Sequence, residues 1–159
     1  MRRTFFRELT ELMPLHPNLY VLTGDLGYKG FDDIRMNYEG ERFFNVGAAE
    51  QSLADIAVGL AYSGKLPIIY SITPFLIYRP FETLRTYINK EQLPIIMVGS
   101  GRDGDYAHDG FSHDATDVRP IMDQFQNITS YYPMDNGEIR GLLESVITNP
   151  HPSFISLKR

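Results

Sequence analysis

Glu50 stands between Gly47-Ala48-Ala49 and an apolar run that begins at Leu53. A carboxylate there can serve in two ways. It can mark a helix N-terminus, where the dipole and free N–H groups favour negative charge. It can also be buried and hydrogen-bonded to a ring nitrogen of a ligand, because burying a carboxylate is costly unless it is paired. Phe75, Tyr78 and Phe81 follow at helical spacing. Such an i, i+3 pattern is the ordinary sign of a helix packed on a core. A stacking pocket for a planar ring is its other use.

The richest segment is GSGRDGDYAHDGFSHD, from Gly99 to Asp114. It gathers Asp103, Asp105, His108, Asp109, His113 and Asp114. A long irregular loop in a small domain is uncommon and often functional. One reading is a plain solvated loop. A second is a metal site for a hydrolase, with His108, Asp109, His113 and Asp114 as imidazole and carboxylate ligands. Metal-dependent phosphohydrolases mount their His-Asp pairs on helices, whereas Gly101, Gly104 and Gly110 oppose helix here. A third is a substrate loop in which His113 works as a hydrogen-bond donor or acid–base group.

These groups need elements to hold them. The pattern predicts helices over 3–13, 31–39, 49–62, 75–89, 115–125 and 136–148. It predicts strands over 19–22, 43–46, 66–72, 93–98, 128–132 and 154–157. Apolar strands alternating with helices imply βαβ units, and fully apolar strands such as LPIIMV imply a sheet covered on both faces. The expected fold is α/β, doubly wound, with a mostly parallel sheet flanked by helices, as a single domain over residues 1–159. In such sheets ligands bind beyond the carboxyl ends of the strands. Asp25, Gly47–Glu50, Thr73–Phe75 and the Gly99–His113 loop all follow strands, so one edge of the sheet should collect them.

Composition narrows the classes. The chain has 159 residues, a net charge of −5 and no cysteine. The acidic balance argues against a nucleic-acid partner. The lack of cysteine excludes disulfides, thiolate metal sites and Cys nucleophiles, and suits a reducing compartment. The longest apolar stretch, Leu66 to Tyr78, is broken by Pro67 and Pro74 and is shorter than the roughly 20 residues a membrane helix needs. MRRTFFRELTELM lacks the apolar centre of a secretory signal. A cytoplasmic protein is expected.

Several segments together resemble the pyrimidine-binding domain of transketolase-like thiamine diphosphate enzymes. TGDLG (Thr23–Gly27) resembles the early acidic turn of that domain. RFFNVGAAEQS (Arg42–Ser52) resembles its segment ending in G-x-x-E-Q, followed by a small-residue helix, a Gly and a strand. PFLIYRPFETLR (Pro74–Arg85) resembles its aromatic and arginine helix. DGFSHDATDVRPIMDQFQNI (Asp109–Ile128) resembles its D-G-x-[ST]-H loop and the helix after it. The chain departs from the family at Asp114, where Gln is usual.

The resemblance implies roles for these residues. Glu50 would hydrogen-bond N1′ of the aminopyrimidine and favour the imino tautomer that deprotonates thiazolium C2. Phe75 would stack on the ring, with Tyr78 or Phe81 lining the same pocket and Tyr78 an alternative stacker. His113 would contact substrate, Asp109 a substrate hydroxyl, and Asp25 would lie near the cofactor at a subunit interface. The diphosphate and its Mg2+ or Ca2+ belong, in this family, to a domain with a G-D-G motif and a downstream Asn. Asp103-Gly104-Asp105 with Asn127 does not match it, so no metal ligand is expected here. The resemblance implies neither a diphosphate-binding domain nor a transketolase C-terminal domain in this chain. It implies a split enzyme with a separate diphosphate-binding subunit, two copies of each chain, and transfer of a two-carbon ketol or acyl unit between sugar-like molecules. A decarboxylase or carboligase acting on a 2-oxo acid is the alternative, and an inactive regulatory subunit is a further one.

Overall fold

Phe5, Leu9 and Leu12 recur at helical spacing, and all are buried along α1 (Arg2–Leu12) in the computed structural model, which describes residues 1–159. The chain continues as β1 (Leu19–Thr23), α2 (Asp32–Tyr38), β2 (Phe43–Asn45), α3 (Glu50–Tyr62), β3 (Leu66–Ile72) and α4 (Thr73–Tyr78). After a one-turn α5 (Phe81–Thr83) and a π-helical segment (Leu84–Lys90) come β4 (Ile96–Ser100), α6 (Val118–Met122), β5 (Thr129–Tyr131), α7 (Glu138–Thr148) and β6 (Ser153–Leu157).

The six strands form one sheet in the order β2-β1-β3-β4-β6-β5, with every pair parallel. Side chains alternate across it. Ile68 and Tyr70 of β3 join Phe5, Leu9 and Val146 on the α1/α7 face. Ile69 lies with Leu53, Ala54 and Ala57 on the α3 face. Burial on both faces explains why these strands read as continuous apolar runs. From β1 the chain moves to β2 on one side, while β3 leads to β4 on the other. The crevice between the carboxyl ends of β1 and β3 is therefore the switch point where such folds bind ligands.

Four expectations change. The sheet is wholly rather than mostly parallel. The strand expected at 93–98 runs Ile96–Ser100, because Pro94 has no N–H for the ladder and pairing with β3 and β6 extends through Gly99 and Ser100. The helix expected at 75–89 starts at Thr73 and breaks at Pro80, which cannot donate to Leu76 and leaves helical geometry. The helix expected at 115–125 shrinks to α6, where Asp114 Oδ1 accepts from the Thr116 N–H and turns the chain just before it.

Candidate active site at the carboxyl edge of the sheet

All strands point the same way, so the segments after β1, β2, β3 and β4 meet at one edge. Glu50 opens α3, where the unpaired N–H groups favour a carboxylate. It is also only 2% exposed. It is thus both a helix-start carboxylate and a buried one, with its observed partners inside the chain. Its neighbour is Ser71, which lies two residues on from Ile69 and so on the same, α3-facing side of β3. Ser71 Oγ donates to Glu50 Oε1 at 2.9 Å. The Arg79 guanidinium donates through Nη1 to Oε2. Gly24 lies against this contact. A Cβ there would sit 3.4 Å from both Glu50 Oε1 and Ser71 Oγ.

The aromatic set divides. Phe75 and Arg79 are four residues apart on α4 and its C-terminal end, hence on one face. The Arg79 Cζ lies 3.8 Å from the Phe75 ring centroid. His113 meets Phe75 edge-on, with centroids 4.8 Å apart. Its Nδ1 is 3.0 Å from Ser112 Oγ. Tyr78 is drawn elsewhere: its hydroxyl donates to Asp117 Oδ1 at 2.7 Å, and burial followed by that carboxylate pushes its phenol well above the usual range. Phe81 lies beyond the break at Pro80 and packs on Phe125, centroids 5.5 Å apart. The expected common lining by Tyr78 and Phe81 is thus not what the structure brings together. Glu50, Arg79, Phe75 and His113 form the connected set.

Asp25 is exposed, at a positive φ of 55°. The side chain of Asn45 holds it: Oδ1 accepts from the N–H of Asp25 and of Gly47, each at 3.0 Å, and Nδ2 donates to Asp25 Oδ1 at 3.2 Å. Asn45 thereby ties the turn after β1 to the approach to Glu50. Asn45→Ala should lower stability by about 1 kcal/mol, since exposed hydrogen bonds are worth roughly that in sum. A urea midpoint equal to that of the unchanged protein would show the tie to be idle.

The acidic and histidine loop is anchored from below. Thr73 Oγ1 donates to the carbonyls of Ser100 and Gly101, the latter at 2.6 Å. Gly99 is required by this approach, because a Cβ would fall 2.4 Å from Thr73 Oγ1. Arg102 is buried and bonds the Ser156 carbonyl; loss of solvent holds its guanidinium below its ordinary pKa. The loop's His and Asp side chains do not converge. His108 is exposed, with Asp109 Oδ2 at 3.6 Å and Arg159 Nη1 at 3.3 Å from Nε2. Asp114 is occupied by Thr116, and no three His, Cys, Asp or Glu groups form a set that could hold a metal ion. The hydrolase reading therefore lacks its ligand cluster.

Ser71, Asn45 and the roles of Thr73 and Arg79 were not legible as site features. Ser71 had a signal, a lone hydroxyl in the buried strand LPIIYSI. Arg79 had another, its i, i+4 spacing from Phe75. No helix is long and apolar enough to cross a membrane.

Known proteins resemble this chain over its whole length. The family model described as the transketolase pyrimidine-binding domain matches residues 1–159. A protein of Methanocaldococcus jannaschii, named as a transketolase C-terminal section, is 28% identical over all of this chain and half of its own length. A subunit of the apulose-4-phosphate transketolase of Actinobacillus succinogenes is 31% identical over 74% of this chain and 38% of its own. A solved split-gene transketolase, described as an inactive beta4 tetramer, superposes with a TM-score of 0.85 at 28% identity, over 99% of this chain and 50% of that one. The chain thus spans half or less of the length of these relatives.

Proposed function

The chain belongs to the family of transketolase pyrimidine-binding domains, and from that premise we propose that it holds the aminopyrimidine of thiamine diphosphate in an enzyme completed by a second subunit. The supporting observation is the Glu50 carboxylate, buried at the switch point, with Oε1 held by Ser71 and Oε2 met only by a half-exposed guanidinium lying on Phe75. A buried carboxylate acceptor beside a flat aromatic face fits a flat ring that presents an N–H on its edge.

When bound, thiamine diphosphate would supply an acidic ring carbon able to serve as a nucleophile toward a carbonyl. The residues of this chain do the rest. Glu50 Oε2 accepts the hydrogen bond of the ring nitrogen and holds the proton there. Phe75 offers a flat apolar face against which the ring lies. Ser71 fixes the carboxylate so that its free oxygen faces the crevice. His113, with Nδ1 on Ser112, presents Nε2 for a substrate oxygen, and Asp109 on the same loop accepts from a substrate hydroxyl. Asp25 lies at the rim, where the second chain meets this one. Tyr78 and Phe81 serve the fold of this wall rather than the ring itself.

The diphosphate and its Mg2+ or Ca2+ are assigned to the partner subunit, with two copies of each chain in the complex. The reaction is transfer of a two-carbon ketol unit between a sugar-like donor and acceptor. Relatives described as a C-terminal section and as one subunit of a transketolase support the division between chains. So does the description of a solved relative made of one chain type as inactive. The test uses the purified chain with thiamine diphosphate, Mg2+ and a ketose phosphate. No turnover is expected until a diphosphate-binding subunit is added. Full turnover by this chain alone would overturn the two-subunit reading.

A further inference from the structure

The guanidinium of Arg79 does what an aminopyrimidine edge would do. It is planar and carries a fork of N–H donors. It lies over Phe75 with Cζ 3.8 Å from the ring centroid. It donates to Glu50 Oε2, the carboxylate oxygen that Ser71 leaves free. We infer that Arg79 is an internal placeholder for the pyrimidine ring: it occupies the Glu50–Phe75 site in the empty chain and must leave before the ring enters. This rests on the pyrimidine-binding role assigned to Glu50 and Phe75 above.

Three observations carry it. First, a carboxylate as buried as Glu50 needs a donor at all times, because a bare charge in that setting is costly. Arg79 supplies one from within the chain, and an entering ring would supply another, so the charge is paired both before and after the exchange. Second, Arg79 is built to leave. Its side chain is 44% exposed, whereas that of Glu50 is 2% exposed. It stands at the last helical position before Pro80, where the helix ends. A long charged side chain there gains rotamer freedom and full hydration on release. Third, the guanidinium takes up the places on the Phe75 face and at Glu50 Oε2 that a ring would need. A cavity of about 880 Å3 lies on the α1 side and is lined by Arg2, Arg7, Tyr28, Lys29 and Arg159; neither Glu50 nor Phe75 lines it. The room a ring needs is opened by the departure of Arg79.

The consequence is a reserve of affinity. If Arg79 is docked about nine-tenths of the time, the apparent affinity for a ring is reduced about tenfold, because only the undocked fraction can bind. Removing the guanidinium should recover that factor.

The experiment measures binding of 4-amino-5-hydroxymethyl-2-methylpyrimidine to the purified chain by ligand-observed NMR. The variants are Arg79→Met, Arg79→Lys and Glu50→Gln, each checked for folding by circular dichroism. Arg79→Met should bind the fragment about tenfold more tightly than the unchanged chain. Arg79→Lys keeps a cation for Glu50 but lacks the flat fork, and should also bind more tightly, by a smaller factor. In the unchanged chain, the Arg79 Nε–H resonance should move to a solvent-exposed position as fragment is added. Equal or weaker binding by both Arg79 variants, or no binding by either, would overturn the placeholder. If Arg79→Met binds tightly and Glu50→Gln binds as well as the unchanged chain, the pyrimidine role of Glu50 is what fails.

Discussion

Replacing Glu50 with Gln should leave the fold in place and remove the chemistry. In the assembled enzyme, exchange of the thiazolium C2 proton for deuterium should slow by roughly 10²–10⁴-fold, the range that a positioned acid–base group contributes. The reason lies in one oxygen atom. Oε1 can still accept from Ser71 in the amide. The other position then carries an NH2 group in place of Oε2, and it faces a ring nitrogen that also needs to donate. Two donors meet, and the proton at that nitrogen is no longer held. Cofactor affinity should fall as well. The exchange is read by NMR after acid quench, so the result does not depend on knowing the sugar substrates. An exchange rate within a factor of two of the unchanged enzyme would remove Glu50 from the mechanism.

The second large effect concerns the pair that Glu50 makes when the ring is absent. Arg79→Met leaves a buried carboxylate with Ser71 as its only side-chain partner. An under-satisfied buried polar group costs about 1–3 kcal/mol, with more for a charge, so a loss of about 2–3 kcal/mol is expected. The half-exposed position of Arg79 keeps the figure below that of a fully buried pair. Glu50→Gln alone should cost less, since the released guanidinium can reach water. The double variant should be more stable than the sum of the two singles predicts, by about 1–2 kcal/mol, because contacting residues couple at that scale. Urea unfolding of the four proteins closes the cycle. Additive effects would mean that the ion pair does not hold the carboxylate, and that Ser71 with the helix terminus suffices.

Much of the fold was legible. Strands with continuous apolar runs could only be central strands of a covered sheet, and β3 and α3 fall where their patterns place them. The boundaries that moved did so for local backbone reasons. Pro94 delayed β4, Pro80 split the aromatic helix, and the Asp114 turn shortened α6. The site was legible in part. Glu50 drew notice because a charge among small and apolar residues implies a partner. Period alone also grouped Phe75, Tyr78 and Phe81, and the structure separated them, since i, i+3 spacing defines one face only while the helix is unbroken.

The sequence by itself determined the class of sheet, the edge on which function gathers, and the residue whose charge demands explanation. Those follow from patterns over neighbouring positions, where side-chain period and burial are tied. Only the tertiary structure decided what satisfies that charge. Ser71 and Arg79 lie 21 and 29 residues from Glu50. They meet it because parallel strands bring separate segments to one edge, where α3 and α4 both begin. No local pattern encodes a hydrogen bond between residues on three different elements; it is fixed by sheet order and register.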